Sequence, residues 1–375
     1  MDNRKNHQYQ HRNQVVVNLS NLLTKSTGIS NYTKNIFPYL KDINPILLSS
    51  ETYPNFDCYP ISNKFTPAHG TKGHFNRLVW TQFQLPKIYQ QIKSQLLFSP
   101  IPESPLWSQC RSVVMVHDFI PLRFPNHFSP LTPYHRYYVP QVLKQAEYII
   151  CNSQSTADDV IHFCNISANK ILPILLGYDS QHFQPEKELN YKSPNHSLYP
   201  YFLYIGRHDP YKNISRVISA FANLNPNREY QLWLSGPSDD RYTPSLKKQV
   251  QELGITDRVK FLDYVPYDDL PKIISRAIAL VFPSLWEGFG LPVIEAMACG
   301  TPVITSNLSS LPEVAGDAAI LIDPYKVAEI TDAMQAIAND TGLRSHLSQL
   351  GLQRATQFSW AKTGQATVEV LKRFL

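Results

Sequence analysis

With 375 residues and 42.9 kDa, the chain is too long for one hydrophobic core of ordinary size and fits two domains. Apolar residues at 43% and charged residues at 17% exclude a long disordered or fibrous chain, and the 29 prolines are scattered, which excludes a proline-rich linker protein. The net charge of +5 hides an asymmetry: residues 1–185 hold 16 Lys and Arg against 10 Asp and Glu, whereas residues 186–375 hold 19 against 20. A basic surplus confined to the first half suits an anionic partner, such as a phosphorylated substrate or lipid headgroups. Its dispersal along the chain argues against nucleic acid.

No stretch of 18 apolar residues occurs, and residues 1–14 are polar, so neither a membrane-spanning helix nor a signal peptide is expected. The five cysteines (Cys58, Cys110, Cys151, Cys164, Cys299) are odd in number and form no C-x-x-C pair. They fit reduced, buried thiols in a cytoplasmic protein better than a disulfide framework or a zinc site.

Short apolar runs alternate with amphipathic segments along both halves, the pattern of βαβ units and parallel sheets. In the first half strands are expected at 15–19, 113–117, 148–151 and 171–176, with helices at 29–40 and 155–163. A polar stretch at 178–200, with Pro185, Pro194 and Pro200, reads as an interdomain linker. Beyond it, strands at 201–205, 231–234, 259–262, 279–282 and 302–305 alternate with helices at 214–224, 245–253, 269–276 and 293–299. The fold class expected is α/β, with two doubly wound Rossmann-like sheets facing a cleft. In such folds ligands bind outside the carboxyl ends of the strands.

The sharpest strand-end segment is Glu287-Gly-Phe-Gly-Leu-Pro-Val-Ile-Glu295. Pro292 suits the first turn of a helix and the glycines let backbone approach a ligand. The backbone of Phe289, Gly290 and Leu291, with the amide of Val293, then forms an anion site for a phosphate. Glu295 is expected in the first turn, where a carboxylate can hold a ribose diol, and Glu287 in the loop before it. The competing explanation, two glutamates that merely complement the helix dipole, leaves the two glycines and the proline unexplained.

A second segment, Gly206-Arg-His-Asp-Pro-Tyr-Lys-Asn213, follows the first strand of the second half. Arg207 offers a planar fork and Lys212 a compact charge, both suited to pyrophosphate oxygens. In the first half, His117-Asp118 follows a strand, and a histidine there can donate to a sugar hydroxyl or carry a proton. Ser26-Thr-Gly-Ile-Ser30 precedes a helix, so the Gly28 amide can also meet a phosphate.

Together these segments resemble the retaining glycosyltransferases of family 4, which have the GT-B fold. Glu287 to Glu295 matches that family's E-x7-E motif and Gly206 to Asn213 its diphosphate-binding loop. Arg77-Leu-Val-Trp80, Leu85-Pro86, His117-Asp118 and Cys151-Asn-Ser-Gln-Ser-Thr156 look like its N-terminal domain. The resemblance implies an acceptor domain at 1–185, a nucleotide-sugar domain at 186–355, and a last helix within 356–375 that crosses back to the first domain. It assigns Glu295 to the ribose, Arg207 and Lys212 to the diphosphate, Glu287 and His117 to the donor sugar, and Gly28 to the β-phosphate. Thr27 departs from the two glycines that many relatives carry in that first loop.

The resemblance further implies transfer with retention, without a cofactor and without a metal. The sequence holds no D-x-D triplet to carry a divalent ion. Likeness to bacterial mannosyltransferases of polysaccharide assembly favours GDP-mannose over UDP-hexoses, with a glycan or lipid-linked acceptor. Two alternatives stay open: a nucleotide-sugar epimerase on the same fold, and a non-catalytic nucleotide-sugar-binding subunit. Residues 74–93 alternate aromatics with cations. They read as a helix with Trp80 and Phe83 in the core and solvated lysines, the alternative being an interfacial helix on anionic lipid at the inner membrane face.

Overall fold

The computed structural model describes residues 15–22, 28–126, 129–186, 199–225 and 229–375. The chain forms two compact units, residues 1–177 with 360–375, and residues 178–359.

The sheet of the first unit contains β1 (Val15–Asn18), β2 (Ile46–Ser49), β3 (Asp57–Pro60), β4 (Leu96–Ser99), β5 (Ser112–Val116), β6 (Tyr148–Cys151) and β7 (Ile171–Pro173). Their order is β3-β2-β1-β4-β5-β6-β7 and every pairing is parallel. The central strands are mostly apolar, such as VVVN and SVVMV, and buried along their whole length, as strands of a parallel sheet covered on both faces are. The edge strand β3 is instead partly exposed and ends on Pro60, where a missing N–H does no harm. Sequence periodicity overlooks β2, β3 and β4, each only four residues long.

Among the helices of this unit are α1 (Gly28–Ile36), α2 (Gly70–Phe83) and α3 (Leu85–Ile92). The expected helix 29–40 therefore begins one residue earlier, and from Phe37 it tightens into a 3-10 turn that admits Pro38. Trp80 lies buried against Phe65 as expected, but Phe83 does not join the core: it is 68% exposed. The C-terminal helix, Trp360–Lys372, packs in this unit through Thr363 Oγ1, which donates to the Leu175 carbonyl at 2.8 Å. Gly364 sits so close to Tyr39 that a Cβ there would lie 2.4 Å from the ring.

The second unit holds β8 (Tyr201–Ile205), β9 (Gln231–Ser235), β10 (Val259–Asp263), β11 (Ala279–Phe282), β12 (Val303–Ser306) and β13 (Ile320–Ile322). They run parallel in the order β10-β9-β8-β11-β12-β13. The chain winds outward from β8 to β10 and returns to start again at β11. The segments that follow β8 and β11 thus meet at the switch point of the sheet, where ligands bind in such folds. Helix α4 (Leu291–Ala298) follows β11.

The start of the expected linker is not a linker. The His182 ring stacks on Tyr267 at 3.9 Å between centroids, and Arg276 grips Glu186 with two hydrogen bonds of 2.8 Å. These contacts fix residues 178–186 to the second unit and move its first residue from 186 to 178. Residues 187–198 lie outside the described residues.

Candidate active site

The site is built on two strand ends whose backbones almost touch. A Cβ on Gly236 would come within 1.9 Å of the Gly206 carbonyl oxygen, so the chains leaving β8 and β9 can run this close only where Gly236 has no side chain. The chain then makes a 3-10 turn, Pro210–Lys212, and closes on Asn213 at φ +66°, a region that asparagine tolerates better than most residues. Buried Asn213 donates from Nδ2 to the carbonyls of Pro283 (3.0 Å) and Pro324 (2.7 Å). The Leu285 N–H donates to the Tyr211 carbonyl at 2.8 Å. One loop after β8 is thereby clamped to the loop after β11.

That clamp brings three of the expected residues together. Lys212 Nζ donates to Glu287 Oε1 at 2.6 Å, with both side chains almost wholly out of water. The same ammonium lies 5.3 Å from the Tyr211 ring centre and 5.5 Å from that of Phe282, so the cation is further held by two aromatic faces. Arg207 donates to the Tyr211 hydroxyl at 3.0 Å and pairs with Asp209 at 3.0 Å, while two-thirds of its side chain remains in water. Next to it, burial holds His208 below the ordinary histidine range, and its Nδ1 pairs with Thr243 Oγ1 at 2.7 Å.

Glu287 and the helix start behind it are tied down by two serines. Ser309 Oγ accepts from the Glu287 N–H at 3.1 Å, and buried Ser310 donates to the carbonyls of Glu287 and Phe289. Gly290 caps α4 at φ +109°, and a Cβ there would stand 2.7 Å from Leu311 Cδ2. The Phe289 side chain is buried against Phe358, so it anchors the loop rather than lining a ligand site. The Val293 N–H is already used by the Gly290 carbonyl at 3.0 Å, and Pro292 has none. Of the amides expected for anion recognition at this terminus, those of Gly290 and Leu291 therefore remain as candidates.

Glu295 is the fifth residue of α4 and so lies in its second turn, not its first. Its neighbours are Asp179 and Tyr267 rather than Lys212. Burial, and secondarily the Asp179 charge, push its carboxyl up to about 7. Tyr267 donates to Asp179 at 3.3 Å, which makes the 178–186 segment part of the surroundings of Glu295. Among the described residues, no group of three or more His, Cys, Asp and Glu side chains gathers to hold a metal ion.

His117 and Gly28 belong to the first unit. His117 is buried after β5, its Nε2 at 2.9 Å from the Pro100 carbonyl and its ring edge-on to Tyr32. Burial holds the imidazole below its ordinary range, hence neutral near pH 7, and a carbonyl partner makes Nε2 the protonated nitrogen. The remaining nitrogen, Nδ1, can only accept. The ring so held offers a ligand an acceptor at Nδ1, where the sequence reading expects a donor. Gly28 opens α1, exposed, with nothing within 4 Å of a Cβ placed on it. Ser26 and Thr27, which bear on its phosphate role, lie outside the described residues.

Asn213, Tyr211, Ser309, Ser310 and Asp179 escape sequence reasoning as site residues. Asn213 alone carries a readable signal, since it ends the basic loop just where a helix starts, a position that calls for a left-handed residue.

The chain matches known family models along most of its length. Residues 39–182 match the family described as Glycosyltransferase Family 4, and residues 186–354 match Glycosyl transferases group 1. The chain belongs to the family 4 glycosyltransferases of GT-B fold. It is 32% identical, over 70% of its own length and 70% of the relative's, to O-antigen chain mannosyltransferase B of Escherichia coli. Among solved structures it is similar to sucrose-phosphate synthase of Thermosynechococcus elongatus (TM-score 0.78, 19% identity, 96% of this chain and 99% of that one). It is also similar to Anabaena HepE in complex with UDP-glucose (TM-score 0.75, 18% identity, 96% and 99%).

Proposed function

We propose that this glycosyltransferase moves a hexose, mannose by preference, from GDP-mannose to a glycan or lipid-linked acceptor in cell-surface polysaccharide assembly, with retention of configuration and without a metal ion. The observation that carries this reading is the Lys212–Glu287 pair beside the Gly290 end of α4, with Arg207 on the same loop. A cation, a helix N-terminus and a guanidinium at one switch point form a receptor for a diphosphate. The mannosyltransferase relative supports mannose, and the HepE complex supports a nucleoside diphosphate carrier.

The barrier to transfer is departure of the nucleoside diphosphate as the sugar becomes oxocarbenium-like. Once the donor is bound and Lys212 has exchanged Glu287 for the diphosphate, Lys212, Arg207 and the amides of Gly290 and Leu291 stabilise the charge that grows on the leaving oxygen without further reorganisation. Lys212 meets the donor already compensated by Glu287. When the diphosphate takes the ammonium, the Glu287 carboxylate becomes an acceptor for sugar hydroxyls, which couples donor binding to sugar orientation. Glu295 is assigned to the ribose diol. Retention follows if the acceptor hydroxyl enters on the face the diphosphate leaves, its proton passing to a leaving phosphate oxygen.

The test is GDP release from GDP-mannose by Lys212→Ala. Loss of one preorganised charge contact at a developing oxyanion lowers turnover about a hundredfold or more, with circular dichroism unchanged. Turnover near that of the wild type removes Lys212 from the mechanism.

A further inference from the structure

The loop between β4 and β5 has a pinned backbone, yet its largest side chain stands in water. Gln82 accepts from the Leu106 N–H at 2.9 Å and donates to the Ser104 carbonyl at 3.2 Å. Gln145 repeats the device one residue further on, accepting from the Trp107 N–H at 3.1 Å and donating to the Pro105 carbonyl at 2.9 Å. Ser108 Oγ accepts from the Cys110 N–H at 3.3 Å. On this backbone Trp107 is 92% exposed at φ +50°. The left-handed region is strained for so bulky a residue, and no burial of the indole offsets the strain. The fold alone would be better served by glycine or asparagine here, so the ring points to a ligand.

Two residues later the same loop becomes one wall of a cavity of about 390 Å³. Gln109 and Arg111 line it from the loop, Gln90 from α3, and Lys93 and Gln95 from the turn between α3 and β4. These segments lead into β4 and β5, so the cavity lies at the amino ends of the strands, whereas His117 follows the carboxyl end of β5. Among the described residues the carboxamides of Gln90, Gln95 and Gln109 have no partner. Each offers two N–H donors and an acceptor oxygen. Arg111 is engaged by Glu147 at 3.0 Å and by the Phe374 carbonyl at 3.1 Å. The lining is therefore dominated by neutral amides rather than by uncompensated charge.

We propose that Trp107 and this cavity form a second carbohydrate site, which holds a stretch of a glycan chain away from its reacting end. A pyranose has a face of weakly positive C–H bonds and a rim of hydroxyls. The C–H face fits the negative face of an exposed indole, and the hydroxyls, each a donor and an acceptor, fit carboxamides. A lone indole of at most about 250 Å² falls well short of the about 800 Å² per partner of a stable protein interface. The cavity has the volume of a small-molecule site. The inference rests on the reading that the acceptor is a glycan, and it gives that acceptor a second point of attachment on the first unit. The five residues of β5 span about 17 Å, so a long acceptor can reach both ends of the strand and a monosaccharide cannot. Attachment here raises the local concentration of the chain end to be extended.

The test is calorimetric titration of the full chain, with no donor present, against mannotetraose, maltotetraose, cellotetraose and chitotetraose. Binding of at least one is expected. Trp107→Ala weakens it by about tenfold or more through loss of the stacked ring, and Gln109→Ala weakens it less. Trp107→Gly loses the binding equally while raising the melting temperature, because it relieves the left-handed strain. In transfer assays Trp107→Ala raises KM for a tetrasaccharide acceptor and leaves kcat, and KM for a monosaccharide acceptor, unchanged. Three results overturn the proposal: no binding of any tetrasaccharide, Trp107 variants that bind as the wild type does, or a melting temperature lowered by Trp107→Gly, which would make the ring a structural part of the loop. A concentration-dependent dimer dispersed by Trp107→Ala also overturns it, since the ring then joins two copies of the chain. Failure of the glycan-acceptor reading is a separate result: tetrasaccharides bind through Trp107 but none receives a sugar from any donor.

Discussion

At the scale of single residues, the site combines charges that neutralise one another with one carboxyl that resists ionisation. Removing Glu287 while keeping Lys212 leaves a nearly buried cation with only aromatic faces for company, so Glu287→Gln is expected to weaken the folded state as well as sugar orientation. Glu295 makes a prediction with a definite sign. Its carboxyl ionises near 4.5 when unfolded and about 7 in the fold. Ionisation therefore favours the unfolded chain: the stability is greatest below about pH 4.5 and declines until pH passes about 7, a total loss of about 3 kcal/mol. Melting curves at pH 5 and pH 8 test this. The wild type should lose several degrees between them relative to Glu295→Gln, and parallel behaviour of the two proteins would contradict the burial of Glu295. At this scale the sequence shows the charged residues of both motifs, because charge in a strand-end loop stands out. It hides Asp179, which lies 116 residues before Glu295 in a segment that looks like linker.

At the scale of elements, the site depends on loops held by side chains rather than on the strands themselves. Asn213 makes two hydrogen bonds to carbonyls of separate loops and adopts a left-handed conformation. Asn213→Ala should therefore cost about 2–4 kcal/mol, from two buried acceptors left unpaired and from a backbone region that alanine avoids. Asn213→Gly removes the strain but still lacks both hydrogen bonds, so the difference between the two variants in urea denaturation separates the causes. At the start of α4, Gly290→Ala places a methyl at φ +109° and 2.7 Å from the buried Leu311. Reduced donor affinity together with reduced stability is the expected outcome, and donor titration against melting temperature checks it. The strands at 148–151, 201–205 and 279–282 are legible to the residue because they are apolar runs between clear turn signals. The exposure of Phe83 is not legible, since apolar residues occupy both faces of α2 and blur the 3.6-residue pattern.

At the scale of the whole molecule, the α/β class and the two doubly wound sheets follow from alternation alone, and both are present. The unit boundary does not follow from composition, because polar, proline-bearing residues at 178–186 are fixed by a stacked ring and an ion pair that no local pattern announces. The C-terminal helix belongs to the first unit, and its fit depends on Gly364, where even a methyl would meet Tyr39. Gly364→Ala should lower stability by about 1–3 kcal/mol through overpacking, read as an earlier urea midpoint. The transfer reaction itself is tested by a donor panel. Nucleotide release is measured with GDP-mannose, GDP-fucose, UDP-glucose, UDP-galactose and UDP-N-acetylglucosamine, each with and without EDTA. GDP-mannose is expected to raise the melting temperature and to release GDP at a rate that EDTA leaves unchanged. Release only from a UDP-hexose would contradict the donor assignment, and release abolished by EDTA would contradict the charge-based mechanism built on Arg207 and Lys212.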